Sequence, residues 1–250
     1  MIRSKKLSRF RSVNHAFFNK KGGVSKGIYE SLNCGPGSKD QTRYIRKNLS
    51  IVKNNIGCKE HNLVLLNQIH SNKIFRLSKR SKKKLFGDGA ITDKSGLALG
   101  ILTADCAPVL MYDKKLNVIG AAHAGWKGAF KGIILNLVFQ FKKYGSENKD
   151  LVAIIGPCIQ IDNYEVKNDF FKKFVTKKII NKKFFRFIDK KIYFNLPKYL
   201  KYQLYSAGVK NVELIKIDTY IKKNNFFSSR LTRKNKINDY GRNISVIMIK

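Results

Sequence analysis

Two histidines and a cysteine stand at the ends of apolar runs, where a folded sheet delivers side chains to its rim. His70 closes LVLLNQIH, and His123 ends VIGAAH just before Gly125. Between them Cys106 lies in LGILTADCAPVLMYD, where polar Thr103, Asp105 and Cys106 interrupt two apolar stretches. Open α/β sheets place their ligands at such strand ends. Two imidazoles and a thiolate make a three-ligand set of the kind catalytic zinc uses, with a fourth position left for water or substrate. One ion held there would bring the pKa of bound water toward about 7 and polarise a carbonyl or leaving group. The same atoms also allow metal-free chemistry, with Cys106 as thiolate nucleophile and His123 as its base. The three residues are too far apart in sequence to match a short metal motif, so both readings stay open.

The neighbouring polar residues each carry two readings. Asp105 has the chemistry to orient a ligand histidine or act as general base, and equally to cap backbone at a strand-end turn. Asp88, in Gly87-Asp88-Gly89-Ala90, reads as a turn residue ahead of a strand. Lys21 beside Gly22-Gly23 and Arg230 after Ser228-Ser229 set cations next to small residues, a pattern that binds phosphate through side-chain charge and backbone N–H groups, or forms ordinary loops. His15 and His61 have no second ligand type nearby and are read as structural or surface groups.

The elements that must position these residues follow from periodicity. Apolar, β-branched runs at 63–66, 97–102, 108–112, 118–122, 151–155, 212–217 and 244–249 predict strands, several of them buried on both faces. Phe130, Ile134, Leu137, Val138 and Phe141 recur at helical spacing, which predicts a helix from near Trp126 that stops before Tyr144-Gly145. Further helices are expected over 167–177 and from Pro197 to Gly208. The fold class is therefore α/β or α+β, a layered domain with a mixed sheet. With no repeat, Pro/Ser-rich linker or low-complexity tail, residues 1–250 are expected to form a single domain.

Composition restricts the rest. The 250 residues carry 51 Lys and Arg against 16 Asp and Glu, a formal charge of +35. Such an excess points to polyanions only when it is clustered in a nucleic-acid module. Here lysine is spread over nearly every polar segment alongside abundant Asn, Ile, Phe and Tyr, so no specific nucleic-acid partner is expected. The absence of a long apolar run or signal-peptide core predicts a cytoplasmic protein without a membrane partner. A monomer is expected. Its four cysteines form no CxxC pair and are read as reduced thiols.

In order along the chain, KKGGVSKGIYESLNCG, NQIHSNKI, GDGAITD, LGILTADCAPVLMYD, AAHAGWKGAF, AIIGPCIQIDNYEV and NNFFSSR with a later YGR resemble the motifs of the YfiH/laccase-domain family. The likeness spans almost the whole chain, and TADC together with HAGWKG is its most specific pair. The resemblance implies a layered fold related to cytotoxic-necrotizing-factor-like cysteine hydrolases. It also implies one Zn2+ or Cu2+ ion on His70, Cys106 and His123, the three residues already singled out.

The function implied is that of a purine nucleoside phosphorylase accepting adenosine, inosine and S-methyl-5′-thioadenosine, with adenosine deaminase activity. Phosphate would attack C1′ of the nucleoside, or metal-activated water C6 of adenine, with Asp105, Cys106 and His123 as the catalytic group. Lys21, Arg230 and Arg242 would hold phosphate. Some bacterial relatives instead remove a wrongly added amino acid from peptidoglycan precursors, which makes an editing amidase the alternative. Polyphenol oxidase ranks last, because multicopper oxidases need many more histidines than the four present. The sequence departs from the family pattern at three points: Lys21 replaces the usual arginine, Ser71 a glycine, and Asp218-Thr219 the customary Cys-Thr. Lysine keeps the charge of arginine and loses its bidentate fork.

Overall fold

The computed structural model describes residues 1–59, 61–79 and 83–250. The first half of the chain runs through β1 (Val13–Phe17), α1 (Thr42–Ile56), β2 (Leu63–Leu65), β3 (Ile74–Arg76), β4 (Gly89–Thr92), β5 (Ala98–Thr103), β6 (Ala107–Asp113) and β7 (Val118–Ala124). It continues through α2 (Trp126–Lys131), α3 (Ile133–Lys142), β8 (Leu151–Ile155), β9 (Glu165–Val166), α4 (Asn168–Lys177), β10 (Phe185–Ile188), β11 (Lys191–Phe194), α5 (Leu196–Ser206), β12 (Asn211–Leu214), α6 (Ser229–Lys234) and β13 (Asn243–Ile249).

The apolar run of β6 shows why two sheets form. Val109 and Met111 enter one core cluster and Leu110 and Tyr112 another, so both faces of the strand are buried. β6 lies inside a six-stranded sheet of order β12-β8-β6-β7-β4-β3. A four-stranded sheet, β1-β13-β5-β2, packs against one face of it. Phe17, Ile101 and Ile247 from the smaller sheet meet Leu110, Ile119 and Ile154 from the larger. On the other face Leu137 and Phe141 of α3 and Leu200 and Leu204 of α5 cover Met111, Ala122 and Ala153. Burying each such large side chain contributes about 1.5–3 kcal/mol relative to exposure. Helix α1 closes the far side by setting Val52 and Ile56 on Ile244, Val246 and Met248. The result is a mixed α+β fold of four layers, helix, sheet, sheet, helices, with a small β10-β11-β9 sheet beside them.

Both large sheets mix directions, as expected. β2 with β5, β3 with β4 and β8 with β12 are parallel, and the central pairs are antiparallel. The helix predicted from Trp126 onward is two helices. Gly132 adopts φ 91°, a left-handed conformation that ends α2 and restarts the chain as α3, and glycine alone adopts it without a Cβ penalty. The topology that matters for chemistry is the corner between β5 and β6. β5 ends at Thr103 in the smaller sheet and β6 starts at Ala107 in the larger, so residues 104–106 carry the chain from one sheet to the other at the rim.

Candidate active site

Each donor is fixed by a different device. His123 is the penultimate residue of β7, paired with Pro108 of β6, and its backbone N–H bonds to Asp88 O at 2.7 Å. Cys106 leaves the inter-sheet corner just after Asp105, which takes a left-handed φ of 84°, a region that Asp tolerates better than most residues. His70 lies in the loop between β2 and β3, also at positive φ. That loop is clamped from below by Gln68, whose side chain donates to Leu102 O at 2.7 Å and accepts from Leu102 N at 2.8 Å. From the other side it is held by Asp88. The carboxylate of Asp88 accepts the backbone N–H groups of Ile69, His70 and Ser71, the Ser71 hydroxyl, and the Nδ1 proton of His123. Ser71, a departure from the family pattern, thus adds a bond to this knot.

The donor atoms of His70, Cys106 and His123 all lie within 4.8 Å of one another. The two imidazole rings cross nearly edge to face, with centroids 4.8 Å apart. Gly125 gives them room, because a Cβ there would stand 2.7 Å from Cys106 Sγ and 3.3 Å from His70 Cδ2. Electrostatics set the protonation pattern. Burial would raise the Asp88 carboxyl, yet its bonds from His123 and Ser71 hold it down to about 2. It is therefore an acceptor only, so Nδ1 of His123 carries the proton and Nε2 is the nitrogen left for Cys106 or an ion. Burial opposes charge on Cys106 as well, but the neighbouring His123 and His70 bring its thiol down to about 6. Burial pushes the thiols of Cys34, Cys58 and Cys158 up instead. His123 is raised to about 9, with burial outweighed by Cys106 and Asp88.

These residues fit a metal. A soft thiolate and two imidazoles, one of them locked by a carboxylate on its far nitrogen, are what a zinc-like ion needs, and donors spread over at most 4.8 Å meet bonds of about 2.0–2.3 Å once the side chains draw in by about 1 Å. Among the described residues no other group of three His, Cys, Asp or Glu side chains is gathered in this way.

Two cavities meet at the triad. The first, about 380 Å³, is lined by Lys127, Arg230, Arg233, Trp126 and Tyr164; the second, about 550 Å³, by Leu66, Ile69, Phe86, Leu102 and Arg242. His70, Cys106 and Tyr240 border both. Asp105 lies beside the triad, but its carboxylate is occupied by the Thr219 hydroxyl at 2.8 Å and Arg230 N at 2.6 Å. It is Asp88, read from sequence as a turn residue, that orients a candidate ligand histidine. Arg230 reaches the first cavity, its guanidinium over the Tyr164 ring. Arg242 borders the second and bonds to Tyr240 O and Asp239. Lys21 is exposed and lines neither cavity.

Comparison with known proteins identifies the family and the fold. Residues 14–250 match the family described as multi-copper polyphenol oxidoreductase laccase. A purine nucleoside phosphorylase of Rickettsia conorii is 36% identical over 80% of this chain and 87% of its own length. One from Rickettsia prowazekii is 34% identical over 91% and 98%. Among solved structures, the Bacillus licheniformis hypothetical protein YfiH superposes with a TM-score of 0.89 at 29% identity, covering 98% of this chain and 95% of that one.

Proposed function

The chain belongs to the multi-copper polyphenol oxidoreductase laccase family, to which the YfiH-like fold is common, and from that premise we propose that it is a metal-dependent purine nucleoside phosphorylase. Its substrates are adenosine, inosine and S-methyl-5′-thioadenosine, and it also deaminates adenosine. The nucleoside part of the reading rests on the names of the relatives. The observation that carries the chemistry is the convergence of His70, Cys106 and His123 where a cation-lined cavity meets an apolar one.

In phosphorolysis a phosphate oxygen bonds to C1′ as the bond from C1′ to the purine nitrogen breaks, and the electron pair leaves with the base, which takes a proton. Deamination adds water at C6 of adenine and releases ammonia. His70, Cys106 and His123 hold the ion, and Asp88 keeps the proton on Nδ1 of His123 so that Nε2 stays a ligand. A divalent ion bound there supplies Lewis-acid chemistry, stabilising negative charge that develops on a substrate atom. Arg230 binds the phosphate dianion, since its guanidinium faces the first cavity and matches phosphate geometry. Tyr240, which borders both cavities, gives a flat face against which a purine or ribose packs. Asp105 acts through position, holding the first turn of α6 in place. The protein works as a monomer in the cytoplasm; no described helix is long and apolar enough to cross a membrane.

Oxidase chemistry ranks last despite the family's description, because four histidines cannot furnish a multicopper centre. A second reading has its own observation. Asp88, His123 and Cys106 form a carboxylate, imidazole and lowered thiol in sequence, the arrangement of a cysteine hydrolase. That geometry favours an editing amidase for peptidoglycan precursors as the alternative. Release of free base from inosine, adenosine and methylthioadenosine, with and without phosphate, separates the two. Phosphate-independent release, or no release alongside amidase activity on a muramyl peptide, overturns the phosphorylase.

A further inference from the structure

The two cavities differ in chemistry. The first gathers Lys127 from α2 and Arg230 and Arg233 from α6, three cations on two elements. Among the described residues none of the three is paired with a carboxylate. The single carboxylate in its lining is that of Asp105, and both its oxygens already accept hydrogen bonds. Arg230 and Arg233 are three residues apart and so share a helix face. That face is aimed by the Asp105 bond to Arg230 N, which ties α6 to the corner carrying Cys106. The second cavity is larger and walled by Leu65, Leu66, Ile69, Phe86 and Leu102, and its one cation, Arg242, is held by Tyr240 O and Asp239.

We infer that the cavity of Lys127, Arg230 and Arg233 is a subsite for free inorganic phosphate, with Lys127 and Arg233 as binding residues beside Arg230, and that the purine nucleoside enters the triad from the apolar side. The inference rests on the phosphorylase reading for its choice of anion. An unpaired cluster of one ammonium and two guanidiniums matches a tetrahedral dianion, whereas a neutral base gains from the apolar wall. This arrangement gives phosphate and nucleoside separate approaches that meet at His70, Cys106 and Tyr240, where both reactants of a displacement at C1′ come together. It also moves Arg242 and Lys21 out of the phosphate set.

The test titrates inorganic phosphate, adenosine and adenosine 5′-monophosphate into the full-length metal-loaded protein by calorimetry, for wild type, Lys127→Gln, Arg233→Gln and Phe86→Ala, after thermal melts show that each variant folds. Lys127→Gln and Arg233→Gln are expected to weaken phosphate binding by about tenfold each, the loss of a charge-assisted contact, with adenosine affinity within about twofold. Phe86→Ala is expected to do the reverse, weakening adenosine by about fivefold or more. Phosphate binding unchanged in both cation variants, or absent in wild type, overturns the subsite. So does a monophosphate that displaces phosphate and adenosine together, since the cations then serve a nucleotide's 5′-phosphate. Phosphate binding that depends on Lys127 and Arg233 without any purine release supports the subsite and sinks the phosphorylase reading instead.

Discussion

Asp88 Oδ1 accepts the Nδ1 proton of His123 at 2.8 Å while the same carboxylate gathers the backbone N–H groups of residues 69–71. One buried side chain thus sets both the ring of His123 and the loop that presents His70.

Asp88→Asn is expected to lower zinc affinity by about 10–100-fold, the usual effect of losing a carboxylate behind a ligand histidine. Competition with a chromophoric chelator reads it. Unchanged affinity would mean that the clamp is structural and leaves the ion untouched.

Gly125→Ala places a methyl group 2.7 Å from Cys106 Sγ. The thiol must move, so metal affinity is expected to fall by an order of magnitude or more while overpacking costs about 1–3 kcal/mol of stability. Metal titration and urea unfolding on one preparation check both. Wild-type affinity in a folded Gly125→Ala protein would show that Cys106 is no ligand.

His15 predicts how stability varies with pH, away from the metal site. It is 1% exposed, and burial and Arg3 lower its pKa from 6.5 to about 4. Its Nε2 accepts the Ser4 N–H at 2.8 Å, which only the unprotonated nitrogen can do. The folded state therefore resists a proton that the unfolded chain accepts. The stability this group contributes is complete above about pH 6.5, is lost as pH falls toward 4, and amounts to about 3 kcal/mol. Urea unfolding of wild type and His15→Gln across that window should show the slope in the first and its loss in the second. Equal slopes would contradict the assignment.

The three candidate donors were legible in the sequence because each follows or closes an unmistakable apolar run, although only His123 lies in a strand. β2 stops at Leu65, so His70 stands in the following loop and not at the strand end expected, and Cys106 stands in the corner after β5. Asp88 was not, because a Gly-Asp-Gly turn looks the same whether its carboxylate caps its own backbone or bonds His123, 35 residues away. Lys127 and Arg233 were hidden by composition: among 51 Lys and Arg, two more carry no signal until α2 and α6 bring them to one cavity. β1 escaped because its partner β13 lies at the opposite end of the chain, so only long-range pairing defines it. Helix α1 did offer a local signal, with Ile45, Leu49, Val52 and Ile56 on one face, but the polar residues between them masked it.

The central claim is that one ion on His70, Cys106 and His123 supports purine release. The most direct measurement pairs metal content with phosphate-dependent turnover of adenosine, inosine and methylthioadenosine, for wild type and Cys106→Ala. About one zinc or copper per chain and phosphate-dependent release of base, both lost in Cys106→Ala, is the predicted result. Turnover that persists in Cys106→Ala, or a wild-type protein that takes up no ion when zinc and copper are supplied, would contradict it.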